Sequence, residues 1–201
     1  MAFVNVRDKQ IQLKIVYYGP GQAGKTTNFL YINENFSEKI KSKMVAIDSY
    51  NDRTIFFDFF PVDLGQINNF DVKIQLYTVP GQMRYKEIRK LILRDVDGIV
   101  FVADVLASMR RKNILSLKDL HENLKKYNKN IFKIPLIFQF NKVDLSQRGY
   151  QILSQERLVN DLNRKLKKPW IMASALTGEN VTATLKKIMT MTAANLKHNL
   201  N

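Results

Sequence analysis

The chain has 201 residues, enough for one domain with a substantial core and too few for two, and its 45% hydrophobic and 25% charged shares are those of a folded soluble protein rather than a disordered one. It has no cysteine, which excludes disulfides, thiolate catalysis and cysteine-ligated zinc, and its two histidines, His121 and His198, lie too far apart to make a metal-ligand pattern. The net charge is +14, but the basic residues recur in separate groups such as Lys39, Lys41 and Lys43 or Arg110, Arg111 and Lys112, so a solvated lysine-rich surface and a polyanion-binding face both stay open.

At the start of the chain, Met1-Ala2-Phe3-Val4-Asn5 lacks the apolar core of a signal peptide, and the longer apolar runs are broken by Arg94, Asp95 and Asp97. Position 2 is alanine and the tail from Leu196 to Asn201 has no cysteine, so no lipid anchor is expected, nor any transmembrane segment; the location is expected to be cytoplasmic.

The first predicted strand, Ile11 to Tyr18, runs into Gly19-Pro20-Gly21-Gln22-Ala23-Gly24-Lys25-Thr26, and a helix through Phe29, Leu30 and Ile32 follows. This is G-x-x-x-x-G-K-[ST] between a strand and a helix, the setting in which the motif cradles phosphates. Small residues let successive backbone N–H groups turn inward, and the helix start adds the positive end of its dipole. The candidate phosphate-binding residues here are Gly21, Gln22, Ala23, Gly24, Lys25, Thr26 and Thr27, with Lys25 as the cation and the Thr26 hydroxyl as a magnesium ligand. Gly19, Gly21 and Gly24 also satisfy the dinucleotide fingerprint G-x-G-x-x-G. That reading loses on context, because Lys25-Thr26 follows the third glycine and because the next strand is expected to run antiparallel rather than to continue a parallel unit.

Residues 36 to 53 are long, polar and unpatterned, which marks a mobile or functional loop. The strands predicted at Thr54 to Phe60 and Val72 to Val79 are separated by about ten residues containing Asp63, Gly65, Asn68 and Asn69, too few for a helical crossover, so the two should pair antiparallel. Further strands are predicted at Gly98 to Asp104, Pro135 to Phe140 and Pro169 to Ala173, with helical segments between most of them. Leu158, Leu162 and Leu166 recur at helical spacing, and Val181, Leu185, Ile188 and Thr192 form one stripe. The expected fold is α/β: a six-stranded, mainly parallel sheet with one antiparallel edge strand and helices on both faces, in a single domain over residues 1–201.

The strand ending at Phe140 leads into Asn141-Lys142-Val143-Asp144, at the carboxyl edge where open sheets place ligands. A carboxylate at Asp144 can accept from the ring N–H and amino group of guanine, a pair that adenine does not offer. Asn141 can brace ring and loop, the Lys142 stem can lie across the base, and Ser174-Ala175-Leu176 after the last strand offers the Ala175 N–H to the guanine oxygen. Asn141, Lys142, Asp144, Ser174, Ala175 and Leu176 are therefore the candidate guanine-binding residues, and the expected cofactors are GTP or GDP with Mg2+.

With these motifs in place the chain resembles the Ras-like small GTPases over nearly its whole length. The longer blocks Tyr17-Tyr18-Gly19-Pro20-Gly21, Asp52-Arg53-Thr54-Ile55-Phe56-Phe57-Asp58-Phe59, Leu76-Tyr77-Thr78-Val79-Pro80-Gly81-Gln82 and Arg89-Lys90-Leu91-Ile92-Leu93 resemble more narrowly the bacterial MglA family, the mutual gliding proteins. The resemblance implies a P-loop small-GTPase fold and a polarity switch for surface motility, expected to be monomeric, GTP-bound at a cell pole and turned off by a dimeric activator, MglB. It also implies roles at particular positions: Thr54 on magnesium and the γ-phosphate, Gly81 sensing the γ-phosphate, Gln82 orienting water, and Arg53 as an arginine supplied by the chain itself. For Arg53 an ordinary surface ion pair is the competing reading. Where most small GTPases have an aspartate this chain has Thr78; Asp58, sharing strand parity with Thr54, is the expected substitute holding magnesium through water, against the reading of a solvent-facing edge residue. Gln22-Ala23, Ser49-Tyr50-Asn51 and Met83-Arg84 depart from the family pattern, and Arg84 puts the usual activator contact in doubt.

The function expected is thus a GTP-binding switch with slow hydrolysis, acting through GTP-dependent effector proteins. Two alternatives stand beside it. The +14 charge suits an RNA- or ribosome-associated GTPase, although the length leaves no room for a separate RNA-binding domain and nucleic acid is not the expected partner. The other is a nucleotide-locked scaffold with negligible hydrolysis, in which Arg53 and Gln82 are surface residues.

Overall fold

A computed structural model describes residues 3–5, 7–36, 46–47, 56–57, 62–67, 69–80 and 86–200. Its centre is a parallel sheet. The strands β1 (Phe3–Asn5), β2 (Gln10–Tyr18), β3 (Ala46–Ile47), β4 (Phe56–Phe57), β5 (Val62–Ile67), β6 (Phe70–Thr78), β7 (Gly98–Asp104), β8 (Leu136–Asn141) and β9 (Trp170–Ala173) form one sheet along the path β3-β4-β6-β2-β7-β8-β9. The run β6-β2-β7-β8-β9 is parallel throughout. β7 and β8 are buried at every position, as strands covered on both faces must be, and their sequences Gly-Ile-Val-Phe-Val-Ala-Asp and Leu-Ile-Phe-Gln-Phe-Asn are correspondingly apolar.

The expectation of six strands with one antiparallel edge needs correction. Five strands are parallel, and among the described residues four short strands are added antiparallel: β1 on β2, β5 and β4 on β6, and β3 on β4. The strand expected over 54–60 is described only at Phe56–Phe57, which meets β6 through the single pair Phe57 with Thr78. The longer partner of β6 is Val62–Ile67, whose Asp63 and Gly65, followed by Asn68 and Asn69, make it read as a connection in sequence. Asn69 explains the difference: its φ of +64° closes the turn tightly enough for Ile67 to pair with Phe70, so the residues before it can join the ladder.

Helices cover both faces, as expected. On one side Ile11, Leu13, Ile15 and Tyr17 of β2 and Val72, Ile74 and Leu76 of β6 pack under α1 (Lys25–Phe36) and α5 (Val181–Leu200). On the other, Val16, Tyr18, Phe101 and Phe138 meet α2 (Lys86–Ile92), α3 (Arg110–Lys125) and α4 (Gln155–Leu158). The predicted stripe of α5 is buried at all four positions, Val181, Leu185, Ile188 and Thr192. Each buried aliphatic there contributes about 1.5–3 kcal/mol relative to exposure, and Gly98 at the start of β7 makes room for it, since a Cβ at Gly98 would overlap the Thr192 hydroxyl. The stripe at Leu158 and Leu162 is also buried, but the helix capped by the Ser154 hydroxyl passes after α4 into a π turn over Val159–Asn163.

Candidate functional site

The parallel strands have the spatial order 6-2-7-8-9, so the chain leaves the adjacent strands β2 and β7 in opposite directions, toward β6 and toward β8, which places a crevice at their carboxyl ends. The phosphate loop occupies that crevice. Gly19, with φ +149°, sits so close to β7 that a Cβ would overlap the Val102 carbonyl oxygen. Gln22 and Gly24 also have positive φ, the alternation that turns successive backbone N–H groups toward one point. α1 starts at Lys25 with no acidic residue in its first turn, and Thr26 and Thr27 are partly exposed there.

Lys25 is 6% exposed. Its Nζ donates to the carbonyl oxygens of Gly19 at 3.0 Å and Pro20 at 2.7 Å. Burial, with a smaller contribution from the charge of Arg89, pulls its pKa down to about 7. A buried cation at a helix N-terminus, surrounded by inward-facing N–H groups, is complementary to a polyanion such as a di- or triphosphate. Among the described residues no group of three or more His, Cys, Asp or Glu side chains could hold a metal by itself. A hard cation held at Thr26 together with phosphate oxygens would suit the preference of magnesium for few protein ligands.

The glycine-rich loop after β2 and the two segments expected to read the base, far apart in sequence, meet on one side chain. Asn141, at the end of β8, is buried; its Nδ2 donates to the Ala23 carbonyl at 2.8 Å and its Oδ1 accepts from the Ala175 N–H at 2.8 Å. Gly24 has to be glycine for this contact, because a Cβ would collide with that same amide nitrogen. The Ala175 N–H expected to meet a guanine oxygen thus already has an internal acceptor, and a base would share it. Ser174 Oγ donates to Asp144 Oδ1 at 2.6 Å, which fixes the orientation of the carboxylate. Lys142 has φ +77°, and its Nζ is 2.6 Å from Oδ2 of Asp104 at the end of β7, so its stem spans from one strand end to the next. Leu176 is 62% exposed beside this edge. Gly178, at φ +84°, lets the Tyr31 ring of α1 press against the following turn.

Several supports went unnoticed in the sequence. Gln139 of β8 donates through Nε2 to Asn28 Oδ1 at 2.8 Å, and Asn28 Nδ2 donates to the Gly24 carbonyl at 2.9 Å, a buried relay that holds the phosphate loop from below. Asp104 is 1% exposed and anchors Lys142. No spacing signal marks either, since the partners lie 111 residues apart for Gln139 and Asn28, and Asp104 ends β7 while Lys142 follows the end of β8.

Arg53, Thr54, Asp58, Gly81 and Gln82 lie outside the described residues. Their neighbour Thr78 is described, 4% exposed, and its backbone pairs with Tyr17 on one side and Phe57 on the other.

A family model described as the Ras family matches residues 14–194. The chain is 42% identical over 197 residues to the mutual gliding-motility protein MglA of Myxococcus xanthus, covering 98% of each chain. It is 26% identical over 185 residues to the Ras-related protein Rab-27B of Rattus norvegicus, covering 90% of this chain and 80% of that one. To the Ras-related protein Rab-1 of Theileria parva it is 25% identical over 185 residues, covering 92% and 74%.

Proposed function

This chain belongs to the Ras family of small GTPases, within the MglA group, and on that premise we propose that it is a switch controlling cell polarity or motility, with slow GTP hydrolysis as its timer. The observation that carries the nucleotide reading is Asn141, whose single side chain joins the phosphate loop to the loop after β9 and so builds one site from three motifs.

In this reading Lys25 and the loop from Gly21 to Thr27 hold the phosphates, and Asp144, oriented by Ser174, selects guanine against adenine. Thr26 and Thr54 hold magnesium, which would neutralise charge on the β- and γ-phosphate oxygens. Gly81 senses the γ-phosphate, Gln82 orients the attacking water, and Arg53 stabilises transition-state charge from within the chain. The GTP form is a monomer of one domain over residues 1–201, recruits effector proteins, is switched off by a dimeric activator of the MglB kind and reaches a cell pole through such partners. Among the described residues no helix is long and apolar enough to cross a membrane, which suits recruitment through proteins.

Single-turnover GTP hydrolysis, with and without lysate from the source organism, tests the switch, together with identification of proteins retained only by the GTP form. A slow rate is expected, accelerated by lysate and reduced about 100-fold by Gln82→Leu or Arg53→Ala. Fast unaided turnover would rule out the timer, and no turnover even with lysate would leave a nucleotide-locked scaffold. Retention of RNA with a steep salt dependence would favour the RNA-associated alternative.

A further inference from the structure

The positive charge of the chain is not spread evenly. Residues 121–134 and 163–168 hold eight lysines and arginines against one acidic residue, Glu122, and so carry half of the net +14. The fold brings these two segments together. One leads from α3 into β8 and the other leads into β9, and the two strands are parallel neighbours, so both segments reach the amino edge of the sheet. α3 itself runs toward that edge, because Asn113 in its first turn bonds to Asp104 at the carboxyl end of β7. The nucleotide crevice lies at the opposite, carboxyl edge, the length of the six-residue β8 away, about 20 Å.

The backbone of this amino edge is firmly held. Lys168 Nζ donates to the carbonyl oxygens of Phe132 at 2.9 Å and Ile134 at 3.0 Å, which ties one segment to the other. Asn163 clasps Lys168 in turn, its Oδ1 accepting from the Lys168 N–H at 2.8 Å and its Nδ2 donating to the Lys168 carbonyl at 2.7 Å. Asn130 Oδ1 accepts from the Phe132 N–H at 2.9 Å. In this fixed turn Ile131 and Ile134 are buried in the core, yet Phe132 between them is 52% exposed. Lys125, Lys126 and Lys133 of the first segment are exposed, as are Arg164, Lys165 and Lys167 of the second.

A solvated surface accounts for the lysines, and the dipole of α3 favours Lys125 and Lys126 at its C-terminus. Neither accounts for an aromatic ring held outside a core that its neighbours enter. An exposed ring among cations matches an anionic bilayer surface, where the ring enters the headgroup layer and each cation is drawn to anionic lipid. Seven of the eight basic residues are lysine. An ammonium is a hydrated point charge suited to a diffuse headgroup layer, whereas RNA is gripped by arginine forks and by successive stacking rings. Phe132 is the single exposed aromatic of the two segments.

We propose that this basic amino edge docks the protein on an anionic phospholipid surface, with Phe132 entering the headgroup layer and the nucleotide crevice turned away from the bilayer. The docking does not rest on the nucleotide reading, because it uses no residue of that site.

The test is sedimentation of the full chain with vesicles of phosphatidylcholine alone and of equal parts phosphatidylcholine and phosphatidylglycerol. Retention is expected on the mixed vesicles only, weakening as salt rises. Lys125→Gln with Lys133→Gln is expected to lower the partition constant about 25-fold, near 5-fold for each charge removed close to the surface, and Phe132→Ser about 10-fold. Lys186→Gln with Lys187→Gln removes the same charge from the exposed middle of α5 and is expected to change it less than about 2-fold. Phe132→Trp is expected to shift tryptophan emission to the blue on mixed vesicles, beyond any shift from Trp170 in the parent chain. GDP dissociation is expected to change less than about 2-fold in every variant, since the two edges are far apart. No retention of the unaltered chain on mixed vesicles overturns the inference, and so does an equal loss from the α5 pair, which would mean that net charge alone binds. Binding of polyuridine that is tighter than vesicle binding and depends on Phe132 also overturns it and assigns the edge to RNA. A chain that retains no GDP but is held on mixed vesicles would sink the nucleotide reading and leave this one standing.

Discussion

Asn141 donates to the carbonyl oxygen of Ala23 at 2.8 Å, across 118 residues of sequence, and this bond joins the end of β8 to the phosphate loop. The same side chain accepts from the Ala175 N–H, so replacing it leaves a buried acceptor and a buried donor unpaired at once. Each unpaired buried group costs about 1–3 kcal/mol. Asn141→Ala is accordingly expected to raise the GDP dissociation constant about 100-fold or more, read by displacement of a fluorescent GDP. An unchanged constant would mean that the three motifs bind independently.

Asp144 and Ser174 make a sharper prediction about which base is bound. Ser174 Oγ fixes one carboxylate oxygen of Asp144 at 2.6 Å. Asp144→Asn exchanges an acceptor for a donor, so guanosine diphosphate should lose about 100-fold in affinity while xanthosine diphosphate, whose C2 carries an oxygen, gains. Ser174→Ala should weaken guanine binding only about 3- to 10-fold, because it frees the carboxylate without removing it. Competition titrations of both nucleotides against each variant measure the two effects, and parallel losses of both would show that Asp144 does not read the base.

What the sequence made legible were features with a local signature. The phosphate loop has fixed spacing, β7 and β8 are mainly apolar runs of strand length, and the α5 stripe repeats at helical period; all three stand where expected. The hairpin partner Val62–Ile67 was hidden because Asp63 and Gly65 weaken its strand character, and pairing depends on the left-handed turn at Asn69. β1 was hidden for the same reason, since a left-handed Lys9 closes its turn. The buried polar partners, Asn28 with Gln139 and Arg89 with Asp119, are set by tertiary contact between elements, and no window of sequence contains both members in a recognisable spacing.

Two glycines with positive φ separate backbone strain from collision. Gly149, at φ +77°, has nothing within 4 Å of the place a Cβ would take, so Gly149→Ala carries only the left-handed penalty, about 1–2 kcal/mol. Gly19, at φ +149°, adds overlap with the Val102 carbonyl, which belongs to a central strand and cannot swing away. Thermal midpoints should fall by roughly 2–8 °C for Gly149→Ala and further, about twice as far, for Gly19→Ala. Equal shifts would mean that the crevice between β2 and β7 can open freely.

Asp161 offers a pH-dependent check on the π turn. Its carboxylate takes two hydrogen bonds from Arg110 at the start of α3, at 2.6 and 2.9 Å, and these hold its pKa below the ordinary carboxylate value of 3.8. A carboxylate whose pKa is lower folded than unfolded binds fewer protons in the native state. Its stabilising contribution is therefore complete above the unfolded pKa and is lost as pH falls through the folded one. Denaturant unfolding of the chain and of Asp161→Asn should differ by a constant amount from about pH 5 to 7 and converge as pH drops below about 4. The gap should also shrink in high salt, since Arg110 is exposed to solvent. A difference that persists unchanged to pH 2 would show that the variant acts through the packing of Val159–Asn163 and not through the charge of Asp161.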